Sequence, residues 1–212
     1  MHKVLIVESQ LVPRQLFKYI VASSDRYSIT ACIDNIDEAN IFCARGEADL
    51  ILIDPILSNG SDGLHTAEQI KLAYPHIRII LVTAVPDERI LLRARNISVD
   101  SFWYMEIQRI PLIEIMDRTM AGERLFPEHP PVINLGLTNS SHLTAREMDV
   151  LHLLCDGLTD REIAESLFLS ITTIRYHINN LISKTGFNSR TELAIHAIRS
   201  GITIPGWNNH HK

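Results

Sequence analysis

The 212-residue chain offers little cysteine, no long apolar run and no block of basic residues. Its cysteines, Cys32, Cys43 and Cys155, stand far apart in apolar surroundings, without the paired spacing of a zinc site, a redox motif or a disulfide framework. They are expected to be buried thiols of a reduced compartment. The run Val4-Leu5-Ile6-Val7 stops at Glu8, too short for a signal peptide or a membrane span, so a cytoplasmic protein with no membrane partner is expected. The formal charge is −5 overall, carried entirely before residue 140, and the remainder is neutral. Any non-specific attraction to nucleic acid should therefore be modest and salt-dependent.

What the chain does have is an apolar fraction of 46%, enough for real cores and against disorder, in a length that fits two small domains. The stretch from Ser170 to Lys184 reads as a helix with two faces. Ile174, Ile178, Leu181 and Ile182 fall at i, i+4, i+7 and i+8, a stripe that packs into a core. Thr172, Arg175, Tyr176, Asn179 and Ser183 share the opposite stripe, which carries hydrogen-bonding groups and no carboxylate. Such a face suits the groove of DNA, where an acid would meet phosphates; by itself it equally suits a surface helix of a small bundle.

From the start of the chain, short apolar runs alternate with helical stretches. Val4–Val7, Ser28–Ile33, Leu50–Ile53, Ile77–Val82 and Ser101–Trp103 read as strands; Leu11–Ala22, Ile36–Ala44, Gly63–Ala73, Asp87–Arg95 and Ile110–Met120 read as helices. Five strand-then-helix repeats predict a doubly wound α/β domain with a five-stranded parallel sheet over residues 1–120, because Val4–Val7 and Leu50–Ile53 are apolar without alternation. Ligand chemistry in such a sheet lies beyond the carboxyl ends of the strands. Glu8, Asp54, Thr83 and Met105 are placed there.

The segments Asp49-Leu-Ile-Leu-Ile-Asp54, Asp62-Gly63 and Leu81-Val82-Thr83-Ala84 resemble the receiver domain of two-component response regulators, a flavodoxin-like fold. The resemblance implies Asp54 as phosphoacceptor, Thr83 as the switch hydroxyl, Phe102 as the aromatic that changes rotamer, and Glu8 and Asp54 as ligands of magnesium. Two positions depart from it: Glu8-Ser9 stands where the family has two adjacent acids, and Met105 where it has a lysine. Serine supplies no charge to hold magnesium, and methionine none to stabilise phosphoryl oxygens. Arg109 is the nearest later cation. The pocket Glu8, Ser9, Thr83, Phe102 and Met105 is thus expected to be an atypical receiver with no required cofactor, its magnesium site weakened. Asp54 and Thr83 are also at home as plain strand-end residues.

Residues 121–142 read as a semi-rigid linker, because Pro127, Pro130 and Pro131 remove amide donors; Val132–Leu137 reads as a short packing segment and Thr138–Ser141 as a polar tether. Beyond it, Thr144…Glu147, Thr159…Glu162 and Ser189…Glu192 each have the form of a capping box, and Ser170 of a simple cap. They predict an all-α domain over 143–201 with helices at about 145–155, 160–167, 171–184 and 190–199. Residues 202–212 read as a tail, in which His210 and His211 are a thin basis for a metal site.

Only Phe168-Leu169-Ser170 separate the second and third of these helices, the turn of a helix-turn-helix. Leu143-Thr-Ala-Arg-Glu147, Gly157-Leu-Thr159, Glu162-Ile-Ala164, Thr173-Ile-Arg-Tyr-His177, Lys184 and Arg190-Thr191 resemble the LuxR-type DNA-binding domain, and the whole chain a NarL/FixJ-type response regulator. The resemblance places Arg175, Tyr176 and Asn179 toward base edges, and Thr172, Thr173, Lys184 and Arg190 on phosphates. His177 is either a phosphate contact or a packed histidine, and Arg146 and Glu147 are candidate braces. The surplus apolar surface of the last helix suits either a homodimer contact or core.

Double-stranded DNA is thus the expected partner, with control of the receiver left open among a sensor kinase, a small ligand and another protein. A transcriptional regulator independent of ordinary aspartyl phosphorylation is the leading reading; regulation through phosphorylated Asp54 is the alternative. An enzyme using Asp54 as a nucleophile is disfavoured, since no general acid or phosphate-binding cation sits beside it.

Overall fold

Every side chain of Val4–Val7 and of Leu50–Ile53 is withdrawn from solvent, so these two strands are covered on both faces. In the computed structural model, which describes residues 1–57, 61–105 and 110–203, they are β1 (His2–Val7) and β3 (Leu50–Ile53). Both lie inside a parallel sheet of order β2-β1-β3-β4-β5, with β2 Tyr27–Ile33, β4 Arg78–Thr83 and β5 Ser101–Tyr104. Helices α1 (Leu11–Ala22), α2 (Ala39–Ala44), α3 (Gly63–Ala73), α4 (Glu88–Asn96) and α5 (Leu112–Met120) connect and follow the strands. The stretch read as one helix from Ile36 splits, because Asn35 caps a 3-10 turn at Ile36–Glu38 before α2 begins. The order places β3 at the centre with β1 beside it and makes crossovers between parallel neighbours, the doubly wound arrangement.

Register then decides what meets at the sheet's edge. Val7 pairs with Ile53, which sets Glu8 beside Asp54 as the two strands end. The Asp54 amide donates to Val7 O at 3.1 Å and the Glu8 amide to Ile33 O at 3.0 Å, so both residues are fixed by backbone before their side chains act.

The chain divides into two compact units between Pro130 and Pro131, inside the stretch read as linker. Residues 121–130 belong to the first unit and lie along β5. The Phe102 amide donates to Leu125 O at 2.8 Å, the Leu125 amide to Ser101 Oγ at 3.2 Å, and Ser101 and Leu125 form a parallel bridge. Arg95 of α4 donates to Glu128 O at 2.9 Å and also reaches Pro127 O. The edge of β5 is therefore covered by the chain's own continuation, one way of protecting unpaired strand groups.

The polar tether expected at Thr138–Ser141 is corrected too. Asn134–Leu135 (β6) and Thr138–Asn139 (β7) form a hairpin, and Asn139 caps a 3-10 turn at Ser140–His142. Ile133 and Leu135 enter the second core, which gives the short hairpin the packing that its few hydrogen bonds lack. Gly136 makes the turn at φ +61°, where an added Cβ would lie 2.1 Å from Thr185 O.

The rest of the second unit is α6 (Ala145–Cys155), α7 (Asp160–Leu167), α8 (Ile171–Thr185) and α9 (Arg190–Arg199). The boxes at Thr144 and Thr159 are complete in both directions. At Ser189 only half forms: its hydroxyl accepts from Glu192 N, while the Glu192 carboxylate turns to Asn188 N at 2.8 Å. The tail begins later than expected. Ile202 and Thr203 are buried, and Thr203 Oγ1 lies 2.5 Å from His152 Nδ1; Trp207, His210 and His211 lie outside the described residues, as does Arg109. Cys43 is buried as expected, whereas Cys32 and Cys155 are only partly covered. Burial still pushes the Cys43 thiol up to about 11 and the Cys155 thiol to about 12, so these thiols are held protonated at neutral pH.

Candidate functional site

The parallel strands bring Glu8, Asp54 and Thr83 together at their carboxyl ends, all three buried. Asp54 Oδ1 accepts from the Ile56 amide at 2.9 Å and Glu8 Oε1 from the Gln10 amide at 2.7 Å, so each carboxyl is held by the loop that follows its strand. Gly63 lets that arrangement close. A Cβ there would sit 2.0 Å from Asp54 O, so any larger residue at the start of α3 displaces the backbone of Asp54.

The two carboxyls end neighbouring strands and are buried side by side. Glu8 and Asp54 act on each other as neighbouring acids, and Glu8 Oε2 is buried with no hydrogen-bond partner among the described residues. Two buried carboxylates at one place cannot both be ionised without a large penalty, and one shared proton removes it. Burial pushes the Glu8 carboxyl up to about 7, against the pull of the Gln10 amide and the charge of Arg14. Burial, and after it the charge of Glu8, raises Asp54 well above the usual carboxylate range, with the Ile56 amide and the Thr83 hydroxyl opposing.

Magnesium fits this arrangement poorly. It requires an octahedron of oxygens and keeps several waters, whereas these two carboxyls have almost no exposed surface, and Ser9 brings no charge. Among the described residues no cluster of three metal-ligating side chains occurs. Met105, at the position of the lysine, packs against the apolar cluster containing Trp103, Leu112 and Met116, and its amide donates to Thr83 O at 2.9 Å. Phe102 is buried on the other face of β5. Its ring lies 4.8 Å from that of Tyr104 and 6.5 Å from that of Phe126, which the extended segment after α5 supplies.

In the second unit, Ile174, Ile178 and Leu181 of α8 are buried and Ile182 partly so. Thr172, Arg175, Tyr176, Asn179 and Ser183 are exposed together on the opposite face. Ser170 starts this helix by accepting from Thr173 N at 3.0 Å, and the Ser170 and Thr173 hydroxyls are 2.8 Å apart. His177 is half-buried with its ring 5.7 Å from that of Tyr176. The preceding turn holds Phe168 in the left-handed region at φ 55° with its ring almost wholly exposed, a conformation that costs a non-glycine residue about 1 kcal/mol.

Two residues placed on phosphates have partners within the fold. Lys184 Nζ lies 2.7 Å from Glu147 Oε2 and 3.2 Å from His142 O, which makes it a brace between α8 and the start of α6. Burial works to raise the Glu147 carboxyl, but Lys184 and the Thr144 amide and hydroxyl outweigh it and leave it below the usual range. Arg190 Nη1 lies 2.6 Å from Asp160 Oδ1, and its Nη2 donates to Leu158 O at 2.9 Å.

Residues 4–116, more than half of the chain, match the response regulator receiver domain family. The chain belongs to the response regulators. Residues 141–197 of this response regulator match the LuxR family of bacterial regulatory proteins, so its second unit is a LuxR-type, DNA-binding output domain. The response regulator protein VraR of Staphylococcus aureus is 28% identical over 162 residues, spanning 73% of this chain and 76% of VraR. Solved structures of Salmonella typhimurium RcsB (TM-score 0.53, 19% identity, covering 92% of this chain and 98% of that one) and of the response regulator ChrA of a heme-sensing two-component system (0.51, 21%, 94% and 98%) share its fold. A structure of two RcsB dimers bound to two parallel DNAs is similar at TM-score 0.55 with 17% identity, covering 92% and 97%. Among the described residues of this regulator no helix is long and apolar enough to cross a membrane.

The sequence reading of this response regulator missed Asp160. Its carboxylate takes Arg190 on one oxygen and Arg175 Nε, at 3.2 Å, on the other. The spacing along the chain gives no local signal for that meeting; only the helix-turn-helix geometry brings α7, α8 and α9 to one point.

Proposed function

We propose that this response regulator is a sequence-specific transcriptional regulator that binds double-stranded DNA as a homodimer, with a receiver controlled independently of ordinary aspartyl phosphorylation. The DNA reading is carried by α8: its inner stripe is buried while Thr172, Arg175, Tyr176 and Asn179 stand exposed together without a carboxylate among them. One helix of that width fits the major groove, where Arg175 matches guanine N7 and O6 and Asn179 matches adenine N6 and N7. Thr172 and Thr173 at the helix start suit phosphates. RcsB dimers bound to DNA support the dimeric form.

Independence from phosphorylation is supported by the closed state of the pocket. Burial, and after it the charge of Glu8, favours the protonated form of Asp54, which is closed from solvent, and Met105 offers no charge where transfer needs one. A carboxyl that holds a proton is a poor nucleophile toward a phosphoryl donor. Control then falls to a small ligand or a protein at the receiver. The competing reading, phosphorylation by a sensor kinase, draws on Thr83, whose hydroxyl acts on Asp54, and on the motif position of Phe102.

A DNA-binding titration on genome-selected fragments separates the two. Wild type and Asp54→Ala are compared, each with and without magnesium and a phosphoryl donor. Equal, tight and sequence-selective binding in all four conditions supports the proposal. A gain in affinity that Asp54→Ala abolishes shows a working phosphoacceptor and overturns the independence claim.

A further inference from the structure

One carboxylate ties three helices of the output domain together, and it does so through the residue best placed to read a base. Asp160 is the first residue of α7, directly after the Thr159 cap, where a negative charge is favoured by the helix amides. Its Oδ1 accepts from Arg190 at the start of α9 and its Oδ2 from Arg175 on the exposed face of α8. Arg190 is held a second time by Leu158 O. That side of the clamp is anchored, so the carboxylate is fixed in direction before Arg175 meets it.

The chemistry of guanidinium makes this more than an ion pair. Its five N–H groups lie in one plane and present two forked edges. Asp160 engages Nε, and neither Nη of Arg175 has a partner among the described residues. The Nη1/Nη2 edge is thus left to accept a bidentate partner, the geometry that pairs with guanine O6 and N7. An unheld arginine gives up considerable rotamer freedom on binding, and one already oriented gives up less. The arginines carry two positive charges against one negative, so the cluster keeps a net positive charge toward a phosphate-rich surface.

We propose that Asp160 is a specificity-determining positioning residue: it orients Arg175 so that its outer edge reads a guanine in the major groove. This rests on the DNA-binding reading of α8. If Asp160 instead acted only through its charge, it would repel phosphates, and its removal would raise affinity for every sequence alike.

The test uses the full chain, with Asp160→Ala, Arg175→Ala and the double variant. Each is titrated against the selected duplex, duplexes with single base changes across the half-site, and a random duplex, at several salt concentrations. The position at which Arg175→Ala loses its preference is identified first. Asp160→Ala is then expected to reduce discrimination at that same position by about tenfold, with random-duplex affinity equal or higher and no further loss in the double variant. A uniform change across all duplexes, or losses that multiply in the double variant, overturns the assignment. Should Asp160→Ala fail to fold, Asp160→Asn, which replaces one accepting oxygen and keeps the shape, is read by the same criteria. A wild-type chain that prefers no sequence over random duplex removes the DNA reading and this assignment with it; a selective wild type with an unchanged Asp160→Ala removes the assignment alone.

Discussion

Lys184 Nζ lies 2.7 Å from an oxygen of Glu147, whose side chain is 4% exposed while that of the lysine is 37% exposed. The carboxylate is buried and its partner is half in water. Lys184→Met should therefore leave a covered charge with only the Thr144 cap to hold it, and lower the stability of the output domain by about 2 kcal/mol. That figure is less than the 3–5 kcal/mol loss typical of a fully buried pair, roughly in proportion to the solvent that reaches the lysine. Urea denaturation reads the loss. The salt slope of DNA binding, measured where the variant is folded, should be unchanged; a slope reduced by about one at full stability would place the ammonium on a phosphate instead.

The paired carboxyls make the receiver's stability depend on pH in the direction opposite to most carboxylates. In the folded state Glu8 and Asp54 hold protons above their ordinary range, Glu8 to about 7. In the unfolded chain they release them at roughly pH 4 to 4.5. The contribution is then fully present below that range and declines as pH rises to about 7, at most by about 1.4 kcal/mol per pH unit for each proton. Glu147, held below its usual range, works the other way. The difference between wild type and Asp54→Asn in urea midpoint across a pH series isolates the pair, and the wild-type decline should be the steeper; parallel curves would show that the two carboxyls do not share a proton.

Restoring the missing charges should restore the chemistry. Ser9→Asp with Met105→Lys adds an acid for magnesium and a cation for the phosphoryl oxygens. Incubated with magnesium and a labelled phosphoryl donor, this double variant should take up at least about tenfold more label at Asp54 than wild type. Equal labelling of the two proteins would mean that neither position limits the pocket.

The segment after α5 should protect β5. Phe126→Ala removes the ring beside Phe102, and Arg95→Ala releases Pro127 O and Glu128 O. Together they should loosen the Leu125 bridge and speed hydrogen exchange at the Phe102 amide, while leaving the β1 and β3 amides as slow as before. Unchanged exchange at Phe102 would show that the strand is held by the Leu125 backbone alone.

The elements that were legible in the sequence are those whose signal is repeated within the element itself. The unbroken apolar runs of β1 and β3, the reciprocal boxes at Thr144 and Thr159 and the stripe of α8 each carry their own evidence. What escaped depends on partners distant in sequence. Leu125 has no strand-like neighbourhood, and it pairs only because β5 offers an edge. The β6–β7 ladder has two residues a side, too few for any alternation to show. Ile202 follows a helix end and a glycine, the usual mark of a tail, yet fills the core. In the pocket, Asp54, Thr83 and Met105 were placed from motif position, but the meeting of Glu8 with Asp54 follows from the pairing of Val7 with Ile53, a fact of register.

The β6–β7 turn has a mechanical corollary. Leu137 N is bonded to Thr185 O at 2.9 Å, the Leu137 side chain lies where a Cβ on Gly186 would go, and Gly136 touches the same carbonyl. Thr185 and Gly186 are the closing residues of α8. The peptide that enters the output domain at Pro131 is thus fastened, within a few residues, to the C-terminal end of α8, the helix proposed to enter the groove. Tension applied along the incoming chain is shared between the core that holds Ile133 and Leu135 and the far end of that helix, which is grasped like the handle of a lever through Leu137.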